Sequence, residues 1–242
     1  MFTTPLKLTS YDIHPNDSAK MSSLLKYMQE AGRDNLDQLG FTYHALRDIG
    51  MFFALTRLTL EMKKPFLYPA VAQLSTWPRP SEGLYFYRDF ELDIESESIA
   101  SASTQWVLMD FNSRKLLRPK AFPKDLCTVD KSNNVEITKS LRSVFNGVIN
   151  PAGLRAVRLS DLDQNGHLNN AIYADIATDL CDAFDYHSFY VNKIQISFIN
   201  EAYLGDCIDL EMGVDEKKSQ VFVCGSRNDA VCFECLLGFE KL

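Results

Sequence analysis

With 242 residues, 46% of them hydrophobic and 24% charged, the chain has the composition of an ordinary globular protein long enough to bury a real core. A net charge of −7 argues against nucleic acid or an anionic membrane as the main partner, because either demands a basic surface. No run approaches the roughly 20 apolar residues of a membrane span, and MFTTPLKLTS lacks the basic cluster and apolar stretch of a secretory signal, so a cytoplasmic protein is expected.

In chain order, Leu8–Asp17 reads as a short strand ending in a turn. A helix follows, with Met21, Leu25, Met28, Gly32, Leu36 and Leu39 at three- and four-residue spacing and Gly40 to end it. Strand-like runs come next at Phe52–Met62, Ala70–Trp77, Leu84–Leu92 and Ile99–Phe111, with a turn expected over Trp77–Gly83. Residues 124–150 are polar and rich in Ser, Asn and Asp, a linker able to carry a short helix. The order then repeats: a strand over Leu154–Ser160, a turn over Asp161–Gly166, and a helix presenting Leu168, Ile172, Ile176 and Leu180 on one face. Four further strands are expected at Phe189–Phe198, Cys207–Met212, Gln220–Gly225 and Val231–Phe239.

A helix followed by four antiparallel strands buries the helix by curling the sheet around it, and two such units cover each other. The expected architecture is therefore α+β, with one repeat over residues 1–123, a linker over 124–150 and a second repeat over 151–242. The six cysteines are scattered. Cys232 and Cys235 sit in one strand, where alternation sends them to opposite faces, so they are expected to be buried side chains rather than a metal or redox pair.

The chemistry concentrates in Asp163-Gln-Asn165-Gly-His167-Leu168-Asn169-Asn170. An Asp before a helix is commonly a cap and Asn-Gly commonly a turn, but one cap needs one polar residue, not this density. Here a carboxylate can act as nucleophile or orienter and an imidazole can move a proton near neutral pH. Amides of the helix start, near Leu168, Asn169 and Asn170, can hold an oxyanion. None of this requires a metal or organic cofactor. Matching the turns by their aspartates sets Asp17 opposite Asp163, Ala19 opposite Asn165 and Met21 opposite His167, while the breaks after the first long strands set Pro65 opposite Glu201. Half one would then lack the polar groups of half two, which implies one working site per chain.

At these residues the sequence resembles the acyl-ACP thioesterase family, known from plant plastids and with bacterial relatives. The likeness runs through Tyr11-Asp12-Ile13, Gln29-Glu30-Ala31, Leu55-Thr56-Arg57, Thr76-Trp77 and Trp106–Met109, then Asp161–Asn170, Tyr173 and Phe198–Glu201. It implies a double hotdog fold, two repeats each of a long central helix wrapped by an antiparallel sheet, and an acyl tunnel shaped largely by the first repeat. It implies Asp163, Asn165, His167 and Glu201 as catalytic residues. It also implies hydrolysis of fatty acyl-[acyl carrier protein], ending chain elongation. Ala202 stands where many plant members have Cys, so no thiol can act there. The missing plastid extension fits a bacterial cytoplasmic enzyme.

The carrier protein is acidic, and Arg114, Lys115 and Arg118 form the basic cluster that can meet it, although a solvated turn explains them equally well. Competing readings are an acyl-CoA thioesterase, an enoyl-thioester hydratase and a non-catalytic acyl-binding module. The chain can act as a monomer, or pair through exposed sheet edges as a homodimer.

Overall fold

A computed structural model describes every residue except 128, 130 and 183. In the first repeat β1 (Phe2–Lys7) precedes α1 (Met21–Gln38) and a short α2 (Tyr43–Asp48). The strands β2 (Met51–Met62), β3 (Val71–Glu82), β4 (Tyr85–Ile94) and β5 (Glu97–Asp110) follow, with a two-residue β6 (Leu116–Leu117) against β5. The linker carries α3 (Leu141–Val144). The second repeat holds β7 (Asn150–Ala156), α4 (Ile172–Thr178), β8 (Phe189–Phe198), β9 (Cys207–Asp215), β10 (Gln220–Arg227) and β11 (Ala230–Lys241).

Among the described residues these strands form one sheet in the order β1-β3-β4-β5-β2-β8-β11-β10-β9-β7. Read outward from the centre, each half gives the same sequence of strands, so β1 corresponds to β7 and β2 to β8. The seam is antiparallel, from Arg57 opposite Ser197 to Glu61 opposite Lys193. One continuous core lies inside the curled sheet, where α1 and α4 pack against each other and against the strands. The linker crosses the opposite face, where Trp77 donates to the Lys131 carbonyl (2.8 Å) and the Asn133 amide donates to the buried Asp89 (3.0 Å). Phe145 of the same segment stacks on Phe222.

Three expectations need correction. The first strand lies at Phe2–Lys7 rather than inside Leu8–Asp17, because the Asp12 carboxylate accepts from both the amide and the hydroxyl of Thr9 and folds that stretch into a turn. The Trp77–Gly83 segment is strand up to Glu82. Proline is tolerated there because β1 runs out at Phe2 opposite Thr76, leaving that side of β3 without a ladder at Pro78 and Pro80.

The third correction concerns the helices. The central helix of the second repeat spans 7 residues against 18 in the first. Leu168 and Leu180 fall outside it. Asn169 folds the entry into a tight turn, its carbonyl accepting from Ile172 and its side chain from Ala171. At the exit, Asp179 and Asp182 place negative charge where the helix dipole is already negative, which opposes further turns.

Candidate active site

The functional side chains converge where three segments meet: the turn before α4, the loop after β8, and two pieces of the first repeat. The Asp163 amide donates to the His167 carbonyl (2.8 Å), closing a turn in which Gly166 takes a positive φ of 79°. Asp163 Oδ1 accepts from the amides of Asn165 (2.8 Å) and His167 (3.2 Å). Its Oδ2 is left facing Asn165 Nδ2 at 3.4 Å. One oxygen thus holds the turn and the other points to the site.

Asn165 is oriented from the first repeat: Tyr43 Oη donates to its Oδ1 (3.0 Å), and Arg47 Nη1 donates to Tyr43 Oη (2.7 Å). With Oδ1 taken, the amide nitrogen is the end available to substrate. His167 pairs as an isolated bridge with Tyr203, whose ring stands edge-on to the imidazole at 5.1 Å. His167 Nδ1 faces Glu201 Oε1 at 3.5 Å, about half an ångström beyond a strong hydrogen bond. Glu201 Oε2 accepts from Tyr203 Oη (2.7 Å) and from Arg114 Nη2 (2.5 Å). The hydrogen bond to Glu201 pushes the Tyr203 phenol above its ordinary pKa, with burial and the carboxylate charge acting in the same direction.

The arrangement therefore has an Asp–Asn pair on one side and a Glu–His pair on the other. The helix-start amides need revision. Leu168 is buried, and its amide donates to the Ala202 carbonyl (2.8 Å); the Asn169 amide donates to the Asp161 carbonyl (2.9 Å). Both are committed to the fold and cannot hold an oxyanion. The Asn170 amide has no partner among the described residues.

Arg114, read from sequence as surface charge, joins the site, while Lys115 and Arg118 are exposed beside it. Tyr43, Arg47 and Tyr203 went unread: each is an isolated residue without a local pattern, and only Tyr203, two positions after Glu201 in an extended loop, carries a signal of its own. Ala202 between them is buried at 1% exposure, so that side chain points into the core. Trp77 of the Thr76-Trp77 motif faces the linker, its indole donating to the Lys131 carbonyl.

Bringing the two repeats together also corrects their alignment. Ile13 pairs with Ala19 as Leu162 pairs with Leu168, 149 positions later, and Ser18 pairs with Leu67 as His167 pairs with Tyr203. The counterparts of Asp163, Asn165 and His167 are thus His14, Asn16 and Ser18, not Asp17, Ala19 and Met21. The match of Pro65 to Glu201 stands.

Models of two known domains cover most of the chain: the acyl-ACP thioesterase N-terminal domain over residues 1–128 and the acyl-ACP thioesterase C-terminal domain over residues 153–229. The chain belongs to the acyl-ACP thioesterase family. Its curated relatives include the chloroplastic oleoyl-acyl carrier protein thioesterase 1 of Arabidopsis thaliana, 24% identical in an alignment of 223 positions that covers 83% of this chain and 60% of that protein. The oleoyl-acyl carrier protein thioesterase of Coriandrum sativum is 25% identical in a gapped alignment of 247 positions that covers 91% of this chain and 65% of the relative. The chain thus spans less than two thirds of the length of these relatives. Among solved structures, an acyl-ACP thioesterase from Bacteroides thetaiotaomicron superposes with a TM-score of 0.80 at 20% identity, covering 98% of this chain and 97% of the other. The 12:0-ACP thioesterase of Umbellularia californica gives 0.79 at 16% identity, covering 100% and 97%. At such identities these structures establish the shared hotdog-like fold alone.

Proposed function

We propose that the chain hydrolyses the thioester of a fatty acyl-[acyl carrier protein], releasing the free fatty acid and the carrier thiol and so ending elongation. The observation that carries the reading is the convergence of Asp163, Asn165, His167 and Glu201, with Asp163 Oδ2 and Asn165 Nδ2 bonded, among the described residues, to each other and not to the surrounding fold. Membership of the acyl-ACP thioesterase family supports it, and a cytoplasmic, bacterial setting is part of the same reading.

In this scheme the thioester carbonyl lies over the turn, its oxygen accepting from Asn165 Nδ2 and the Asn170 amide. His167, oriented by Glu201, takes a proton from water. That water adds either to the thioester carbon directly or to an anhydride formed when Asp163 Oδ2 has displaced the thiolate. The proton held by His167 is then available to the leaving sulfur. Oxygen-18 from labelled water in the Asp163 carboxylate after a single turnover would mark the covalent route with water adding at the aspartyl carbon, whereas label in the fatty acid alone fits direct attack or addition at the acyl carbon of the anhydride.

The acyl chain enters the first repeat, between α1 and the sheet. A cavity of about 10 Å³ lies there, lined by Leu24, Met28, Leu60, Leu74, Phe90 and Leu92 among others. Ligand pockets run to roughly 300–1,000 Å³, so a fatty chain must part α1 from the strands as it binds. Lys115 and Arg118 are the exposed basic groups offered to the acidic carrier, while Arg114 of the same cluster is bonded to Glu201.

Free-thiol release from acyl-ACP and acyl-CoA substrates of graded chain length tests the whole reading. Preferred turnover of the carrier-bound substrate is expected. Equal or better use of acyl-CoA would move the assignment to that carrier, and no release from any thioester would leave an acyl-binding module.

A further inference from the structure

We infer that Arg114, supplied by the first repeat, is a positioning residue that fixes Glu201 and, through it, the imidazole of His167; the inference rests on the hydrolase reading above. Glu201 sits in an extended loop and carries a flexible side chain about 38% exposed, so nothing in its own backbone fixes the carboxylate plane. Two donors do so. Arg114 Nη2 (2.5 Å) and Tyr203 Oη (2.7 Å) both bond Oε2, and pinning one oxygen from two directions leaves Oε1 to face His167 Nδ1.

Arg114 is itself held in place by a turn built for it. Its backbone lies in the left-handed region at φ 57°, and its amide donates to the Asp110 carbonyl (3.0 Å). The Asp110 carboxylate closes the same turn by accepting from the amide and the hydroxyl of Ser113, each at 2.7 Å. The guanidinium then lies 5.0 Å from the centroid of the Phe52 ring. A solvated surface arginine needs none of this anchoring. Tyr203 and Arg227 are the other polar groups packed against the same corner, Arg227 lying over the Tyr203 ring.

The test separates positioning from carrier docking. Arg114→Met, Arg114→Lys, Glu201→Gln and the Arg114→Met/Glu201→Gln double variant are assayed on an acyl-ACP and on a carrier-free acyl thioester of N-acetylcysteamine, which has no phosphate or protein to dock. Arg114→Met is expected to lower kcat by about 10–100-fold on both substrates, with little change in KM for the small one. Arg114→Lys should recover part of the loss, since it restores charge without the planar fork. The double variant should be no slower than Glu201→Gln alone, because the arginine acts through the glutamate. A loss confined to KM for acyl-ACP would overturn the inference and make Arg114 a docking contact. Multiplying losses in the double variant would overturn it equally. An active wild type with an unimpaired Arg114→Met variant removes only the role of Arg114, whereas a wild type inactive on every thioester defeats the hydrolase reading and this inference with it.

Discussion

Residues 12–20 and 161–169 trace the same backbone twice and put it to different uses. In both turns the leading aspartate accepts from the amide three positions before it, Thr9 in one and Arg158 in the other. In both, the third residue's amide reaches the carbonyl four positions on, His14 to Ser18 and Asp163 to His167, at 2.8 Å. The side chains at matched positions then diverge: His14, Asn16, Ser18 and Pro65 against Asp163, Asn165, His167 and Glu201.

The shared asparagine is the most instructive. Asn16 spends its amide nitrogen on the carbonyls of Tyr186 (2.5 Å) and Phe189 (3.0 Å) and its oxygen on Ser18, clamping the loop before β8. Asn165 gives its oxygen to Tyr43 and keeps the nitrogen for the site. A turn of given geometry becomes structural or reactive according to what crosses it from the other repeat.

The contrast can be broken most severely at the reacting groups. Asp163→Ala or His167→Ala should cost about 10²–10⁴ in kcat, while His14→Ala and Ser18→Ala leave the chemical step unchanged in the same thiol-release assay. A comparable loss from the first-turn variants would show that both turns work. Next, the asparagines should trade effects. Asn165→Ala is expected to slow turnover roughly 10²-fold, as loss of an oxyanion donor does, with an unaltered urea midpoint. Asn16→Ala should lower stability by about 1–2 kcal/mol, because it removes the side-chain hydrogen bonds that tie the first turn to the loop before β8, with turnover per folded molecule intact. If instead both variants lose the same property, the division of labour is wrong.

Removing the hydroxyl that orients Asn165 is a smaller change. Tyr43→Phe should cost about 2–10-fold in kcat, the equivalent of one neutral hydrogen bond, and an unaffected rate would mean the amide is oriented by other contacts. The smallest effect is a titration. Burial, reinforced by the Lys20 ammonium and opposed by Asp175, holds the His14 pKa below its usual 6.5. The unfolded chain takes up that proton first, so this contribution to stability is complete above about pH 6.5 and is lost as the pH falls below it. Urea midpoints from pH 7.5 to 5.5 should therefore decline more steeply in wild type than in His14→Gln. Parallel curves would assign the acid sensitivity to other groups.

Much of this was legible from pattern. Strands β8 to β11 begin within a residue of where alternation put them, since one face is buried and a slip would invert it, whereas β7 starts at Asn150, four residues before the expected Leu154. The density of polar residues at Asp163–Asn170 marked the turn on which the proposed site is built. The alignment of the two turns went wrong because two aspartates were matched as letters. Backbone geometry matches Asp17 with Gly166, both at positive φ, 63° and 79°. The shared pattern Asp-apolar-x-x-Asn at Asp12–Asn16 and Asp161–Asn165 carried that register. Glu201 has no local signature and came only through resemblance. Tyr43 lies 122 positions from the asparagine it orients, a distance no periodicity spans. The short α4 could have been read from Asp179 and Asp182, whose charges were counted as part of a polar face but not weighed against the dipole.

The seam between β2 and β8 joins two copies that share one polypeptide. In a dimer of identical chains, each substitution is made twice, so a residue useful in one cleft must be tolerable in its twin. A tandem chain is free of that duplication. Pro65 can close a corner where Glu201 keeps a carboxylate, and α1 can stay long while α4 shrinks. Under the proposed reading, with one site per chain, saturation of a monomer by substrate is expected to follow a simple hyperbola.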